Sequence, residues 1–507
     1  MGFEENRLTI LLTTEGTYPF NAGGVSTWCH KLIGEMKEVD FSVISVIDSP
    51  FAVQNFTLPE NVKNFISIPL WGTMDSSEHL NWIPFSNIFM AKMQTNEKII
   101  KNEFIPIFSK ILDEILGISK NSYDFGINLT KMYEYFRKYD YEKTMKAECI
   151  YSYYKTKIIK GIDNCDFFYS KSKIIPMIQE IEESLGLIYR FFNITNTTIP
   201  EVNITHSSAA GFCGIPNVIA KILHGTPYLL TEHGVYMREQ FLWTNRADMS
   251  LFMKNFMLSL VEAVVRLNYA YADLICPVCA YNTRWEKKFG VEDNKINVIY
   301  NGVDPAVFVP EELEEEKRKI IAIARIDPLK DIKNFINAAR IILDELPELK
   351  FGVYGGASDK KYFNECLHLR DSLGLKEKFE FYGYFEKPEK AYHAGDIIVL
   401  PSVSEGFPYS VIEAMMCKKA VVATDVGGVR EAIGTCGLVV PPRNPKELAN
   451  ACIWLMRNEE SRKRISEAAR EKASRIFSIE NFLNEYRKAY ESLKNGGFAY
   501  DKQDARF

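Results

Sequence analysis

The apolar run Leu8–Thr14, followed at once by a glycine-bearing loop and a helical stretch, constrains this chain more than any other feature. A strand that is apolar on both faces belongs inside a parallel sheet with helices covering each side. Here the loop Glu15–Gly24 leads to a predicted helix from Val25 to about Lys37 and then to a second strand, Phe41–Ile47. This β-loop-α-β opening points to a doubly wound α/β domain, in which ligands gather at the carboxyl ends of the strands. The rhythm resumes with predicted strands Val202–His206, Tyr228–Thr231, Leu274–Pro277 and Asn297–Tyr300. It then begins afresh with Ile320–Ala324, Lys350–Tyr354, Phe379–Tyr382, Ile397–Leu400 and Ala420–Ala423.

From about residue 75 to 200 the period changes to that of a helix, clearest where Ile100, Phe104, Ile107, Phe108, Ile111, Leu112 and Ile115 share one face. The acid-rich segment Asp304–Lys317 reads as a linker. The expected organisation is therefore a Rossmann-like domain over 1–304 carrying a helical insertion, and a second Rossmann-like domain over 305–478. A C-terminal helix and tail over 479–507 would cross back to the first domain, with Ser478 as its N-cap. Two such domains in tandem leave a cleft between them.

Charge decides what that cleft must do for itself. With 66 carboxylates against 61 Lys and Arg, and a net charge of −5, the chain has no general field for nucleic acid or anionic lipid. Any anion must be held locally, and nucleic acid is not an expected partner. The longest uncharged stretch, Val202–Ala220, contains Asn203, Ser207, Ser208 and Pro216 and is a poor membrane span. The N-terminus carries Glu4 and Glu5 before an apolar run too short for a signal peptide, so a cytoplasmic location is expected, at most peripheral to the membrane. Ten cysteines without a regular framework read as reduced thiols, and Cys276-Pro-Val-Cys279 as a strand end rather than a metal or redox motif.

The segment Ser404–Met415, directly after the strand Ile397–Leu400, carries most of the chemistry. Pro408 suits the first position of a helix, so the N–H groups of Tyr409, Ser410 and Val411 would point out of its positive end and bind phosphate. Glu405 precedes that helix and Glu413 lies about a turn inside it. Two carboxylates beside a phosphate site repel phosphate and suit neutral hydroxyls such as those of ribose and a sugar ring. Spacing alone also allows Glu405 as a cap and Glu413 as a solvated helix residue.

Arg325 and Lys330 follow the strand Ile320–Ala324 and make a possible diphosphate clamp. At about 4 Å and an effective dielectric near 20, each such charge pair gives about 4 kcal/mol before desolvation. The other reading is a pair of surface ions facing Asp327 and Asp331. Gly23-Gly24 lets backbone approach a ligand at a helix start, or simply forms a tight turn. His233, after the strand Tyr228–Thr231, is the histidine best placed for the site, whereas His206 suits packing. The chain contains no Asp-x-Asp, P-loop, GxSxG, HExxH or kinase signature.

Taken together these residues resemble the retaining GT-B glycosyltransferases of family 4, over about Leu8–Asp48 and Val202–Arg475. The family's Gly-rich loop is matched by Gly23-Gly24, its site histidine by His233, its Arg-x4-Lys by Arg325 and Lys330, and its Glu-x7-Glu by Glu405 and Glu413. Asn301-Gly302-Val303-Asp304 and Thr424-Asp425-Val426-Gly427-Gly428 are similar to its junction and nucleotide loops. Glu15–Phe20 with Gly23–Trp28, then Glu232–Glu239, and the helical insertion resemble the Pel-type exopolysaccharide subgroup.

The resemblance implies transfer of a hexose or N-acetylhexosamine from a nucleotide-diphosphate sugar, expected to be UDP-linked, to a glycan acceptor with retention. His233, Arg325, Lys330 and Glu405 would be catalytic. Gly23, Gly24, Phe407, Pro408, Tyr409, Ser410, Val411 and Glu413 would join Arg325, Lys330 and Glu405 in binding donor. No cofactor and no metal are expected, and membrane-associated polysaccharide synthase components are candidate partners. The alternatives are a sugar-nucleotide epimerase and a non-catalytic nucleotide-sugar-binding scaffold of a polysaccharide assembly complex.

Overall fold

A computed structural model describes residues 7–72, 83–161, 174–311, 318–385 and 387–496. By internal contact the chain divides into two units: residues 1–276, 285–297 and 487–507 form the first, and 277–284 with 298–486 the second.

The first unit is built on a six-stranded parallel sheet, ordered β3-β2-β1-β4-β5-β6. Its strands are β1 (Leu8–Glu15), β2 (Val39–Ile47), β3 (Val62–Pro69), β4 (Ile204–Ser207), β5 (Tyr228–Glu232) and β6 (Leu274–Pro277). The second unit repeats that plan in the order β12-β11-β10-β7-β8-β9. Its strands are β7 (Lys319–Ile323), β8 (Lys350–Tyr354), β9 (Phe379–Gly383), β10 (Ile397–Leu400), β11 (Ala420–Thr424) and β12 (Leu438–Val440). In each sheet the order reverses beside the first strand, between β1 and β4 and between β7 and β10. There the outgoing loops part and leave a crevice at the carboxyl ends.

The central strands are buried along their length, as both-face apolar runs require. Two strands were not foreseen from the sequence. β3 has only three fully buried residues, and β12 is three residues long, so neither carries the apolar run that marks a central strand. The expected strand Asn297–Tyr300 does not form. That segment is extended and makes only Asn297 N–H to Ile275 O (2.9 Å) and Ile299 N–H to Pro277 O (3.1 Å), too sparse for a ladder.

The insertion is helical between Phe85 and Asn196 within the described residues; positions 73–82 and 162–173 fall outside them. Phe104, Phe108, Ile111, Leu112 and Ile115 are fully buried, while Ile107 is only partly so. The helical run is not uniform: Ile100–Phe104 is a π-turn, which shifts the phase of the apolar stripe by one residue. The helix Ser122–Phe136 packs on Ile215–His224 and Leu251–Tyr271, with Gly126 admitting the Tyr271 ring where a Cβ would lie 2.5 Å from it. Glu114, 4% exposed on the helix Ile105–Ile115, pairs with Arg266 of Leu251–Tyr271. The insertion thus shares the core of the first unit.

Among the described residues no helix is long and apolar enough to cross a membrane. The nine described cysteines form no disulfide.

Candidate active site

In the second unit the loops after β7 and β10 meet at the reversal point. Lys330 Nζ donates to Glu405 Oε1 at 2.6 Å, and Ser402 Oγ donates to the same oxygen at 2.6 Å. The two charged side chains are only 19% and 8% exposed. Backbone fixes this meeting: Val403 N–H donates to Leu329 O (2.8 Å), while Asp327 Oδ1 accepts the N–H groups of Leu329 (2.9 Å) and Lys330 (3.1 Å). Arg325 behaves differently. It is 60% exposed and 3.7 Å from Asp327, an ion pair so open that it contributes little and can be exchanged for a ligand.

The helix after Glu405 runs from Tyr409 to Met416, and Pro408 is its extended N-cap rather than its first helical residue. The cause is local: with φ −75° and ψ 122°, Pro408 turns its carbonyl back to accept the Val411 N–H at 3.2 Å. That corrects the expectation for Val411, whose N–H is spent inside the chain. The Ser410 N–H lies at the positive end. Glu413 stands in the second turn and accepts from the buried Tyr392 hydroxyl at 2.6 Å. Burial and the neighbouring Glu413 charge push the Tyr392 hydroxyl far above its ordinary pKa, so it stays a donor.

Phe407 is 5% exposed and its ring packs between Tyr300 and Phe477, with ring centroids 5.2 and 5.3 Å away, so the side chain anchors the loop. Asn301 Nδ2 donates to Phe407 O at 3.0 Å, and Gly302 lies against Phe482, where a Cβ would be 2.6 Å away. Gly427, at φ +57°, and Gly428 lie directly against Glu405 and Gly406; Gly428 N–H donates to Gly406 O at 2.7 Å.

Sequence reasoning missed Ser402, Tyr392 and the loop Gly355-Gly356. A Cβ on Gly355 would lie 1.9 Å from Ala324 O, so glycine is required for β8's loop to cross the end of β7 beside Arg325. The pair of glycines directly after the strand Lys350–Tyr354 was the available signal.

In the first unit the helix after the glycine loop runs Gly24–Glu35. Gly23 is extended, at φ 172°, and nothing lies within 4 Å of its would-be Cβ, so the position is open rather than strained. The buried Trp28 ring lies edge-on to His233 (4.7 Å) and to His206 (5.3 Å). His206 is fully buried and bonded at both ring nitrogens, to the Tyr490 hydroxyl (2.7 Å) and Thr231 Oγ1 (2.8 Å), a packing role. His233 differs in that its buried Nε2 has no partner, as is also true of the buried Ser26 hydroxyl. Burial lowers the His233 pKa to about 3, so the ring is neutral near pH 7 and its Nε2 is available to a ligand hydroxyl.

Another residue found only by structure is Glu15, at the end of β1. Its Oε1 accepts from the Tyr236 hydroxyl at 2.5 Å and its Oε2 from the Cys213 N–H at 3.2 Å, and burial raises its pKa. Among the described residues no group of three or more His, Cys, Asp or Glu is disposed around a metal ion.

Comparison with known proteins places two family models on the chain. Residues 8–294 match Domain of unknown function (DUF3492), and residues 304–472 match Glycosyl transferases group 1. A D-inositol 3-phosphate glycosyltransferase of Kribbella flavida is 30% identical over 227 residues, covering 40% of this chain and 54% of that protein. An N,N'-diacetylbacillosaminyl-diphospho-undecaprenol alpha-1,3-N-acetylgalactosaminyltransferase of Campylobacter jejuni is 27% identical over 259 residues, 48% of this chain and 66% of its own. The chain thus spans about half to two thirds of the length of these relatives.

Among solved structures, Anabaena Alr3699/HepE in complex with UDP superposes with a TM-score of 0.59 at 14% identity, covering 96% of this chain and all of that one. Sucrose-phosphate synthase from Thermosynechococcus elongatus gives 0.59 at 16%, covering 97% and all of its chain. At such identities the likeness concerns the fold, a GT-B arrangement of two Rossmann-like domains.

Proposed function

The chain belongs, over more than half of its length, to the family described as Domain of unknown function (DUF3492) and carries a group 1 glycosyl transferase domain after it, and from this we propose a retaining glycosyltransferase. The donor is a nucleotide-diphosphate hexose or N-acetylhexosamine, UDP-linked, and the acceptor a growing polysaccharide made at the cytoplasmic side of a membrane. One observation carries the reading: Lys330, Glu405 and Ser402 converge at the β7/β10 reversal, just before a helix start.

The Lys330 ammonium has three donors and spends one on Glu405; the others are available to the diphosphate. Arg325 swings from its weak Asp327 contact onto the same group. Charge grows on the leaving diphosphate as the glycosidic bond breaks, and these cations, with the Ser410 N–H group, stabilise it. The second Glu405 oxygen accepts from donor-sugar hydroxyls, and Glu413 from ribose hydroxyls. His233, neutral and with Nε2 unpartnered, meets a sugar hydroxyl. The glycine at 23 leaves room above the helix start for substrate.

A thermal-shift screen of nucleotide-sugars, followed by donor hydrolysis, tests this. A UDP-hexose or UDP-N-acetylhexosamine should raise the melting temperature and release UDP. Conversion of the donor to its epimer without UDP release would instead make the protein an epimerase, and UDP binding with no turnover toward any acceptor would make it a scaffold. Because two cations serve the diphosphate and no Asp-x-Asp occurs in the chain, full activity is expected in EDTA; a strict need for Mg or Mn would overturn that part.

A further inference from the structure

Beneath His233 lies a pair of acids that the mechanism does not use. Glu232 ends β5, and Glu286 lies on the helix Thr283–Lys288 of the same unit. Both are 0% exposed. Glu232 accepts from the Tyr269 hydroxyl (2.6 Å), and the two carboxyls face each other. Apart from that mutual contact, Glu232 Oε2 and both oxygens of Glu286 meet no donor.

Two ionised carboxylates cannot share a buried site without a cation, since repulsion and desolvation add. One proton between them removes the conflict. The donors decide where it sits: Tyr269 serves Glu232, and none serves Glu286. Glu286 is therefore the neutral acid and gives its hydrogen to ionised Glu232. Burial pushes both groups upward, and the Glu232 charge pushes Glu286 further.

We propose that Glu286 is a positioning residue, which as a neutral acid holds Glu232 in place and through it the loop that presents His233. Glu232 directly precedes His233 in the chain, and beyond the loop the Tyr236 hydroxyl donates to Glu15, which accepts the Cys213 N–H. Both ends of the His233 loop are thus held, by Glu232 at the end of β5 and by Tyr236 through Glu15 at the end of β1. The inference rests on the role given above to His233.

Its pH dependence has a definite sign. The folded chain keeps a proton that an unfolded one releases, so the contribution is full at low pH and lost as pH rises through the raised folded value. The groups facing the pair are Glu239, whose charge raises Glu232, Lys287, which lowers Glu286, and the hydroxyl of Tyr269.

Infrared difference spectra of the whole protein near neutral pH test the pair without any substrate. A protonated-carboxyl band present in the native protein, lost in Glu286→Gln and kept in Glu15→Gln, is expected; its absence from the native protein, or its survival in Glu286→Gln, overturns the assignment. Rates then test positioning. Glu286→Gln still donates to Glu232, so it should keep kcat within about twofold and lose the alkaline fall in kcat. Glu286→Ala and Glu232→Gln should lower kcat about tenfold or more with little change in donor KM, as an unsatisfied buried acceptor or a misplaced donor requires. Unchanged kcat in both of these variants, or the same alkaline fall in Glu286→Gln, overturns the positioning role. If the native protein turns over no nucleotide-sugar, the proposed function fails, and with it the role assigned through His233, while the spectra still report the proton pair.

Discussion

Lys330→Ala is expected to lower the turnover rate at saturating donor by about two to three orders of magnitude while weakening donor binding far less. Two effects combine. The variant loses a cation where charge grows on the departing diphosphate, and it strands Glu405, only 8% exposed, with the Ser402 hydroxyl still donating to it. The second effect can be separated from the first by Lys330→Met with Glu405→Gln: the double variant relieves the stranded carboxylate but not the missing cation. A double variant as slow as Lys330→Ala assigns the loss to the cation. Recovery to near-native rate would remove the clamp from the mechanism and leave Lys330 as a structural partner of Glu405.

Gly427→Ala should be as damaging for a different reason. The residue is at φ +57°, and a Cβ there would lie 1.9 Å from the carbonyl oxygen of Glu405 and 2.9 Å from that of Gly406. Backbone cannot yield as a flexible side-chain tip can, so the Glu405 loop must move. The strained conformation alone costs about 1–3 kcal/mol, and a displacement of about 1 Å at the reacting groups costs about a hundredfold in rate. Gly374→Ala is the control. It has a comparable φ of +70° with nothing within 4 Å, so it should lose stability by denaturant titration and keep its rate. Equal rates for the two variants would show that the close approach of loops 425–428 and 405–407 does not matter to the site.

These expectations differ in how far the sequence could have supplied them. Arg325, Lys330, Glu405 and Glu413 are readable because chemistry demands charged residues just past apolar strands, and a strand end is visible one residue at a time. The strands Leu274–Pro277, Lys350–Tyr354 and Ile397–Leu400 have the bounds their apolar runs predict. Two of the edge strands, β3 and β12, were illegible for the converse reason: they are only partly buried and need no such run. The proline at 408 misled by one position, because whether a proline caps or begins a helix depends on its ψ, which the next turn decides.

What the sequence by itself determined is the repeated β-loop-α-β plan, the helical insertion and the charged residues at strand ends, since each is written in local period and residue type. The tertiary structure alone decided that Lys330 meets Glu405 and not Asp331, that Glu413 is held by Tyr392, and that His206 is bonded while His233 Nε2 is left open. It also decided that Glu232 and Glu286, 54 positions apart, share a buried site. These pairings depend on which strand ends lie side by side and on which donors reach a buried oxygen, quantities that arise only when distant segments pack.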